Sequence, residues 1–157
     1  MKSPYLLSLV LGLSLGFSNM GFAQTTIKAS PDNTEDVNQH LKFLYGSYQP
    51  YQKFLKDLQT ALDQDNRAKV ASMIHYPIQI NIHNQKHKIR STQEFLSYYD
   101  EIFDPMLTQS IKKQSYSNLF ANTKGIMVGE NGELWFTGFC QDKACKKVVV
   151  KVIAINK

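Results

Sequence analysis

The stretch that decides the fold runs from Gly125 to Ile155 and reads GIMVGENGELWFTGFCQDKACKKVVVKVIAI. It holds three apolar runs separated by two polar segments, and the first polar segment contains Asn131-Gly132, a dipeptide that favours tight hairpin turns. This pattern predicts an antiparallel meander of three strands with one apolar face, which other elements have to cover. The predicted strands are 126–128, 133–139 and 147–155, and the predicted turns are 129–132 and 141–144.

Cys140 and Cys145 flank the second predicted turn and are the only cysteines in the chain. Antiparallel pairing of the flanking strands is expected to place them opposite each other or nearly so, within reach of a disulfide bond. A reduced pair or half of a metal site is the alternative, but a structural zinc ion needs about four ligands and no second cysteine pair exists. We therefore predict a structural disulfide, no metal and no cofactor.

The residues before the meander predict helices and a smaller hairpin. Apolar residues recur at helical spacing over 37–62, and Pro50 interrupts them, which predicts either one helix kinked near Pro50 or two helices in tandem. Residues 78–82 alternate as in a half-buried strand, and residues 91–94 read Ser-Thr-Gln-Glu, a capping box that begins a further helix. The predicted class is α+β, a curved antiparallel sheet wrapped around N-terminal helices in a single domain over 34–157.

Residues 1–23 have the features of a secretory signal peptide. Lys2 is followed by an apolar core, and Gly21 and Ala23 are small residues at the two cleavage-site positions. An uncleaved membrane anchor is the alternative, but the apolar core is shorter than the ~20 residues that span a bilayer. We expect cleavage, a flexible lead-in over 24–33, no membrane span in the mature chain, and a periplasmic or secreted bacterial protein.

The charge of the chain bears on its partners. The formal net charge is +5, of which Lys2 in the predicted signal peptide supplies one unit. This excess is small and dispersed, so it does not predict a nucleic-acid partner. The chain also lacks a glycine-rich phosphate loop and a nucleophile elbow. Composition and motifs therefore indicate neither a nucleic-acid-binding protein nor an enzyme of those classes.

Four short motifs carry a resemblance to a known superfamily: Tyr76-Pro77, the run Phe95 to Phe103, Gly125-Ile126-Met127 and the run Gly132 to Phe136. Together with the order of elements, they resemble the nuclear-transport-factor-2-like superfamily over roughly residues 50–156. The resemblance implies a cone, in which a curved sheet wraps around helices and encloses a cavity, and it implies dimerisation through the open sheet face. The superfamily includes isomerases, dehydratases, ligand binders and protein-interaction modules, so the fold alone does not choose a function.

The first hypothesis for function is a non-enzymatic, exported binding module. The chain is rich in aromatic residues, and no catalytic set stands out beside them. A cone mouth lined by Tyr76, Tyr99, Trp135 and Phe139 would take a small apolar ligand or a partner peptide.

The second hypothesis is a small isomerase or lyase that works by proton transfer. Its acid or base would be His75 or Asp100, with Tyr76 and Asp104 nearby in sequence. Local roles are the alternative, since Asp100 can pair or cap locally and His75 can end a helix. The hypothesis requires His75 or Asp100 to lie inside the cavity.

The third hypothesis is a periplasmic protein-interaction role, such as an inhibitor or immunity protein. Its contact surface would be the basic hairpin 83–90, although charge on a hairpin also serves as ordinary edge-strand protection. His83 and His87 flank the turn of this hairpin, and His40 or Asp100 could approach them. Two histidines without an identifiable third ligand do not predict a metal site.

Overall fold

The structure, a computed structural model, describes residues 33–156. The predicted signal peptide and the lead-in up to residue 32 lie outside the described residues. The helices are α1 Thr34–Tyr45, α2 Gln49–Asp63, α3 Arg67–Ser72, α4 Thr92–Ser97, α5 Tyr99–Ile102 and α6 Pro105–Lys113. The strands are β1 Ile78–Ile82, β2 Gln85–Ile89, β3 Phe120–Asn122, β4 Gly125–Val128, β5 Leu134–Cys140 and β6 Val148–Ile155.

The first helical region consists of two helices in tandem. Gly46 ends α1 in the left-handed region, at φ 80°, and its N–H donates to the carbonyl of Lys42. Pro50 lies in the first turn of α2, where a missing N–H costs nothing because that N–H has no helical partner. Of the two predicted alternatives, the tandem arrangement is therefore confirmed.

The capping box at residues 91–94 begins α4 as predicted. The Ser91 hydroxyl accepts the Glu94 N–H at 3.1 Å, and the Glu94 carboxylate accepts the N–H of Arg90 at 2.7 Å. Asp104 caps α6 in the same way, accepting the N–H of Leu107 at 2.9 Å. Both helix starts follow from local side-chain chemistry.

The strands form two sheets. One is the β1–β2 hairpin, and the other is the antiparallel meander β3-β4-β5-β6. The class is thus α+β, as predicted, but the described strands neither form one continuous curved sheet nor close on themselves. The predicted three-strand meander is present with a further strand, β3, in a segment whose polar sequence did not predict it.

A row of buried side chains crosses the inner face of the four-stranded sheet. Register pairs Ala121 with Ile126, Ile126 with Phe136, and Phe136 with Val152. All four are at most 7% exposed. Phe54 of α2 packs on Phe136, with ring centroids 4.9 Å apart. The helices therefore cover this face, and the core lies between them and the sheet.

The connection between β4 and β5 is longer than the predicted turn. Val128 pairs with Leu134, so residues 129–133 join the strands. The Glu133 carboxylate accepts the N–H of Asn131 at 2.9 Å and the hydroxyl of Ser110 at 3.3 Å. Glu133 therefore braces the connection, where the sequence pattern placed it at the start of the strand.

Candidate functional site

Tyr76 and Tyr99 lie on the helical side of the molecule. Both rings meet Phe95 edge-on, with centroids 6.1 Å and 6.3 Å away. The Tyr76 hydroxyl donates to the carbonyl of Ala71 at 2.9 Å. Burial raises the pKa of each of the two tyrosines to about 12. These two residues are therefore parts of the packed interior.

Trp135 and Phe139 lie on β5, away from Phe95. Trp135 meets Phe120 edge-on, with ring centroids 6.3 Å apart, and Phe139 stacks on His75 at 4.4 Å. Tyr76 and Tyr99 thus share a contact with Phe95, whereas Trp135 and Phe139 each make a separate ring contact from β5. None of the four lines the cavities of about 360 to 470 Å³ on the described surface.

His75 and Asp100 are both exposed to solvent. Asp100 forms a two-pronged ion pair with Arg67, with two N–O distances of 2.9 Å, and the Arg67 guanidinium lies 4.9 Å from the centre of the Tyr99 ring. His75 lies flat on Phe139 with an angle of 6° between the rings. Neither side chain lines those cavities.

The histidines take local roles. The His87 ring contacts the ring of Tyr98 at 5.2 Å, and His83 lies in the hairpin turn at φ 51°. His40 bonds through Nε2 to the carbonyl of Ala121 at 3.0 Å. Within residues 33–156, no group of three His, Cys, Asp or Glu side chains is placed to hold a metal ion.

The four-stranded sheet has a second face, opposite the helices, which we call the outer face: Phe120, Met127, Trp135, Phe139 and Val149. Register pairs Phe120 with Met127 and Met127 with Trp135, so these side chains form a row across three strands. Phe139 pairs with Val149 further along β5. Phe120 is 51% exposed and Val149 is 40% exposed, while the other three are half-buried. The outer face thus has two open apolar parts, with the polar pair Thr137 and Lys151 of the same face between them.

Both edges of the four-stranded sheet are covered. His40 of α1 bonds to the edge strand β3 at Ala121. On the other edge, the N–H of Val152 in β6 donates to Met73, and the N–H of His75 donates to Val152. A partner strand therefore cannot add at these positions.

The β5–β6 connection, residues 141–147, is here called the lysine loop. The predicted disulfide is present and joins Cys140, the residue before the loop, to Cys145 within the loop. The two cysteines lie close together, with Cα atoms 4.7 Å apart, but they are not a register pair, because Cys140 pairs with Val148 and Cys145 lies in the connection at φ 52°. The loop is longer than the predicted turn because Asp142 organises it.

Asp142 accepts three backbone N–H groups within the lysine loop. Its Oδ1 accepts from Ala144 at 3.0 Å and Lys146 at 3.1 Å, and its Oδ2 accepts from Lys147 at 2.7 Å. These donors, those of Lys146 and Lys147 first, hold the pKa of Asp142 below its ordinary value. The loop is therefore held by a charged hub as well as by the disulfide.

Sequence reasoning missed two parts of this surface. Phe120 and Leu119 form a short apolar pair in the sequence, which does not by itself indicate a strand, and the strand is defined by pairing with β4. Asp142 was assigned to an ordinary turn. An Asp in a short segment between two cysteines, with two lysines directly after the second cysteine, is the signal that could have indicated a side-chain hub.

No helix within residues 33–156 is both long enough and apolar enough to cross a membrane. Comparison of the chain with protein-family models, with curated proteins and with solved structures found no match. The resemblance to the nuclear-transport-factor-2-like superfamily therefore stays a prediction.

Proposed function

We propose that this chain is an exported, non-enzymatic binding protein that docks a partner protein on the outer face of its four-stranded sheet. The observation that carries the proposal is the row Phe120, Met127 and Trp135, which leaves Phe120 51% exposed beside a half-buried tryptophan. Aromatic residues and methionine are enriched where proteins bind one another. An exposed apolar surface on a folded domain is a recognised mark of such a site.

The interior argues for a protein partner over a small apolar ligand. The inner face of the sheet is filled by α2, whose Phe54 packs on Phe136. Tyr51 of the same helix occupies the space above Gly138, so that a Cβ atom there would lie 2.5 Å from the tyrosine oxygen. Small-molecule sites are concave and enclosed, whereas an open sheet face suits a partner of similar size.

The positions of His75 and Asp100 favour binding over catalysis. Asp100 is held by Arg67 at the surface, and His75 is exposed against Phe139. Acid–base catalysis by these groups would need contact with a bound substrate in a site that excludes water. A docking function makes no such demand.

Export is supported by the disulfide between Cys140 and Cys145. Disulfides persist in oxidising compartments such as the periplasm and the extracellular space. Together with the predicted signal peptide at 1–23, this supports the proposal that the partner lies outside the cytoplasm or in the cell envelope.

The test is co-purification from the organism that encodes the chain, with three forms of the protein. Phe120→Asp places a charge on the outer face, and Phe43→Asp is the matched control, since Phe43 is 85% exposed on α1. We expect a protein that is retained by the wild type and by Phe43→Asp and is lost with Phe120→Asp. Retention of the same proteins by all three forms, each folded by circular dichroism, would contradict the proposal.

A further inference from the structure

We propose that the partner of the outer face is an acidic protein, held by a rim of lysines at one end of the four-stranded sheet. This inference rests on the proposed function, because it names the chemistry of the partner that the outer face docks. It is based on the lysines that the connections of the meander place at one end of the sheet.

The meander places two lysine-bearing connections at the same end of the sheet. Alternate connections of an antiparallel meander lie at the same end of the sheet. The β3–β4 turn, which carries Lys124, therefore lies at the same end as the lysine loop. The lysine rim consists of Lys124, Lys143, Lys146 and Lys147, all of them exposed. None of the four forms an ion pair with another described residue. Their positive charge is therefore available to a partner.

The lysine rim is continuous with the outer face. Phe139 pairs with Val149, and the next pair along the strands, Cys140 with Val148, leads directly into the lysine loop. The lysine rim therefore borders the apolar pair Phe139 and Val149, and Lys151 adds a further cation between this pair and the row of Phe120, Met127 and Trp135. Protein interfaces commonly have this anatomy, with an apolar core and a polar rim.

The lysine loop holds its shape before any partner binds. Asp142 bonds to the backbone N–H groups of Lys146 and Lys147, and the disulfide closes residues 140–145. A surface whose backbone is already fixed loses less conformational entropy on binding than a flexible loop does. The rim is thus suited to recognition.

The opposite end of the sheet is less positive than the end with the lysine rim. The β4–β5 connection, which lies there, carries Glu130 and Glu133, and Lys113 lines the same cavity as these two carboxylates. An acidic partner is therefore attracted more strongly to the end that bears the lysine rim, which orients it on the outer face.

The basic hairpin 83–90 is the other candidate for an acidic partner. Lys86 and Lys88 on β2 are exposed, as the rim lysines are. However, the large exposed apolar side chains of the described residues are Phe43, Met106, Phe120 and Val149, and none of them belongs to the hairpin. The hairpin offers charge without an apolar centre, so the observations favour the lysine rim.

The test is fluorescence anisotropy with the purified, oxidised protein and a labelled peptide of glutamates around a central Leu-Phe pair. Lys143→Glu with Lys146→Glu removes the rim charge, and Lys86→Glu with Lys88→Glu makes the same charge change on the hairpin. We expect the rim variant to bind about tenfold more weakly and the hairpin variant to stay within about twofold of the wild type. Equal weakening in both variants would overturn the inference.

The same assay separates this inference from the proposed function. If Phe120→Asp loses binding and the two lysine variants lose it equally, the inferred role of the lysine rim is wrong, and the proposed docking on the outer face is still supported. Unchanged binding in Phe120→Asp, with loss in the rim variant alone, supports the rim and contradicts docking on the outer face. Rim-dependent binding to phosphatidylglycerol vesicles, without binding of the peptide, would overturn the inference in favour of a membrane surface.

Discussion

The ring of Phe120 on β3 meets the indole of Trp135 on β5 edge-on, although β4 lies between the two strands. The centroids are 6.3 Å apart and the ring planes are at 85°. Met127 of β4 pairs with both residues and lies below this contact. Edge-to-face contact is a favoured arrangement of aromatic rings. The two side chains therefore form an ordered apolar surface across three strands.

Shortening a side chain on the inner face of β5 should lower the free energy of unfolding more than shortening one on the outer face. Phe136 is 0% exposed against α2, so Phe136→Ala is expected to lower the free energy of unfolding by about 3–5 kcal/mol. Trp135 on the outer face is half-buried, and Trp135→Ala is expected to cost about 1–2 kcal/mol. Urea unfolding of both variants measures the difference. Equal costs would contradict the assignment of the two faces.

Gly138 is a position where an added methyl group should destabilise the fold. A Cβ atom there would lie 2.5 Å from the Tyr51 oxygen and 2.6 Å from a methyl group of Val148. Gly138→Ala is therefore expected to cost about 1–3 kcal/mol. In a Tyr51→Phe background the cost should be smaller, because the oxygen is gone. Chemical denaturation of the four proteins of this double-mutant cycle measures the coupling, and a cost unchanged by Tyr51→Phe would disprove the contact.

The disulfide should stabilise the protein modestly. It joins cysteines separated by 5 positions, so the closed loop is short and replacing both cysteines by serine should cost about 2 kcal/mol or less. Asp142 is expected to keep the lysine loop in place, so binding at the outer face should survive. Thermal denaturation measures the cost. Thiol titration of the denatured, unreduced protein should find no free cysteine, and two titratable thiols would contradict this account.

The stability contributed by Asp142 should depend on pH. Its pKa is held below the ordinary value of 3.8, so the contribution is present above that value and is lost as pH falls through the lower folded pKa. Asp142→Asn should therefore melt below the wild type at about pH 7 and approach it at about pH 2. Glu130→Gln, in the other long connection of the meander, is the control. A deficit of Asp142→Asn that persists in acid would contradict the role of its charge.

Local signals predicted much of the fold. The capping box at 91–94, the interruption at Pro50 and the paired cysteines each act within a few residues, so the sequence alone indicated them. Strand β3 escaped prediction because Phe120 acquires its strand geometry from pairing with Met127, which the local pattern does not reveal. The register at Cys140 was missed because Asp142 lengthens the connection.

The candidate site was less predictable than the fold. Aromatic content suggested Tyr76, Tyr99, Trp135 and Phe139 as one group, but strand alternation carries Trp135 and Phe139 to the face opposite Phe136. Tyr76 and Tyr99 join the interior through Phe95. Which aromatic residues share a surface depends on sheet register and on the face that the helices cover, and neither is encoded in a short motif.

Docking of a partner on the outer face is tested most directly by site-specific photo-cross-linking in cells of the source organism. A photoreactive residue replaces Phe120 or Val149 on the outer face, and Phe43 on α1 or Met106 on α6 as exposed controls. We predict a discrete covalent adduct from positions 120 and 149 only, whose second component is a different, acidic protein by mass spectrometry. Equal adducts from all four positions, no adduct from any of them, or an adduct made of two copies of this chain would contradict the account.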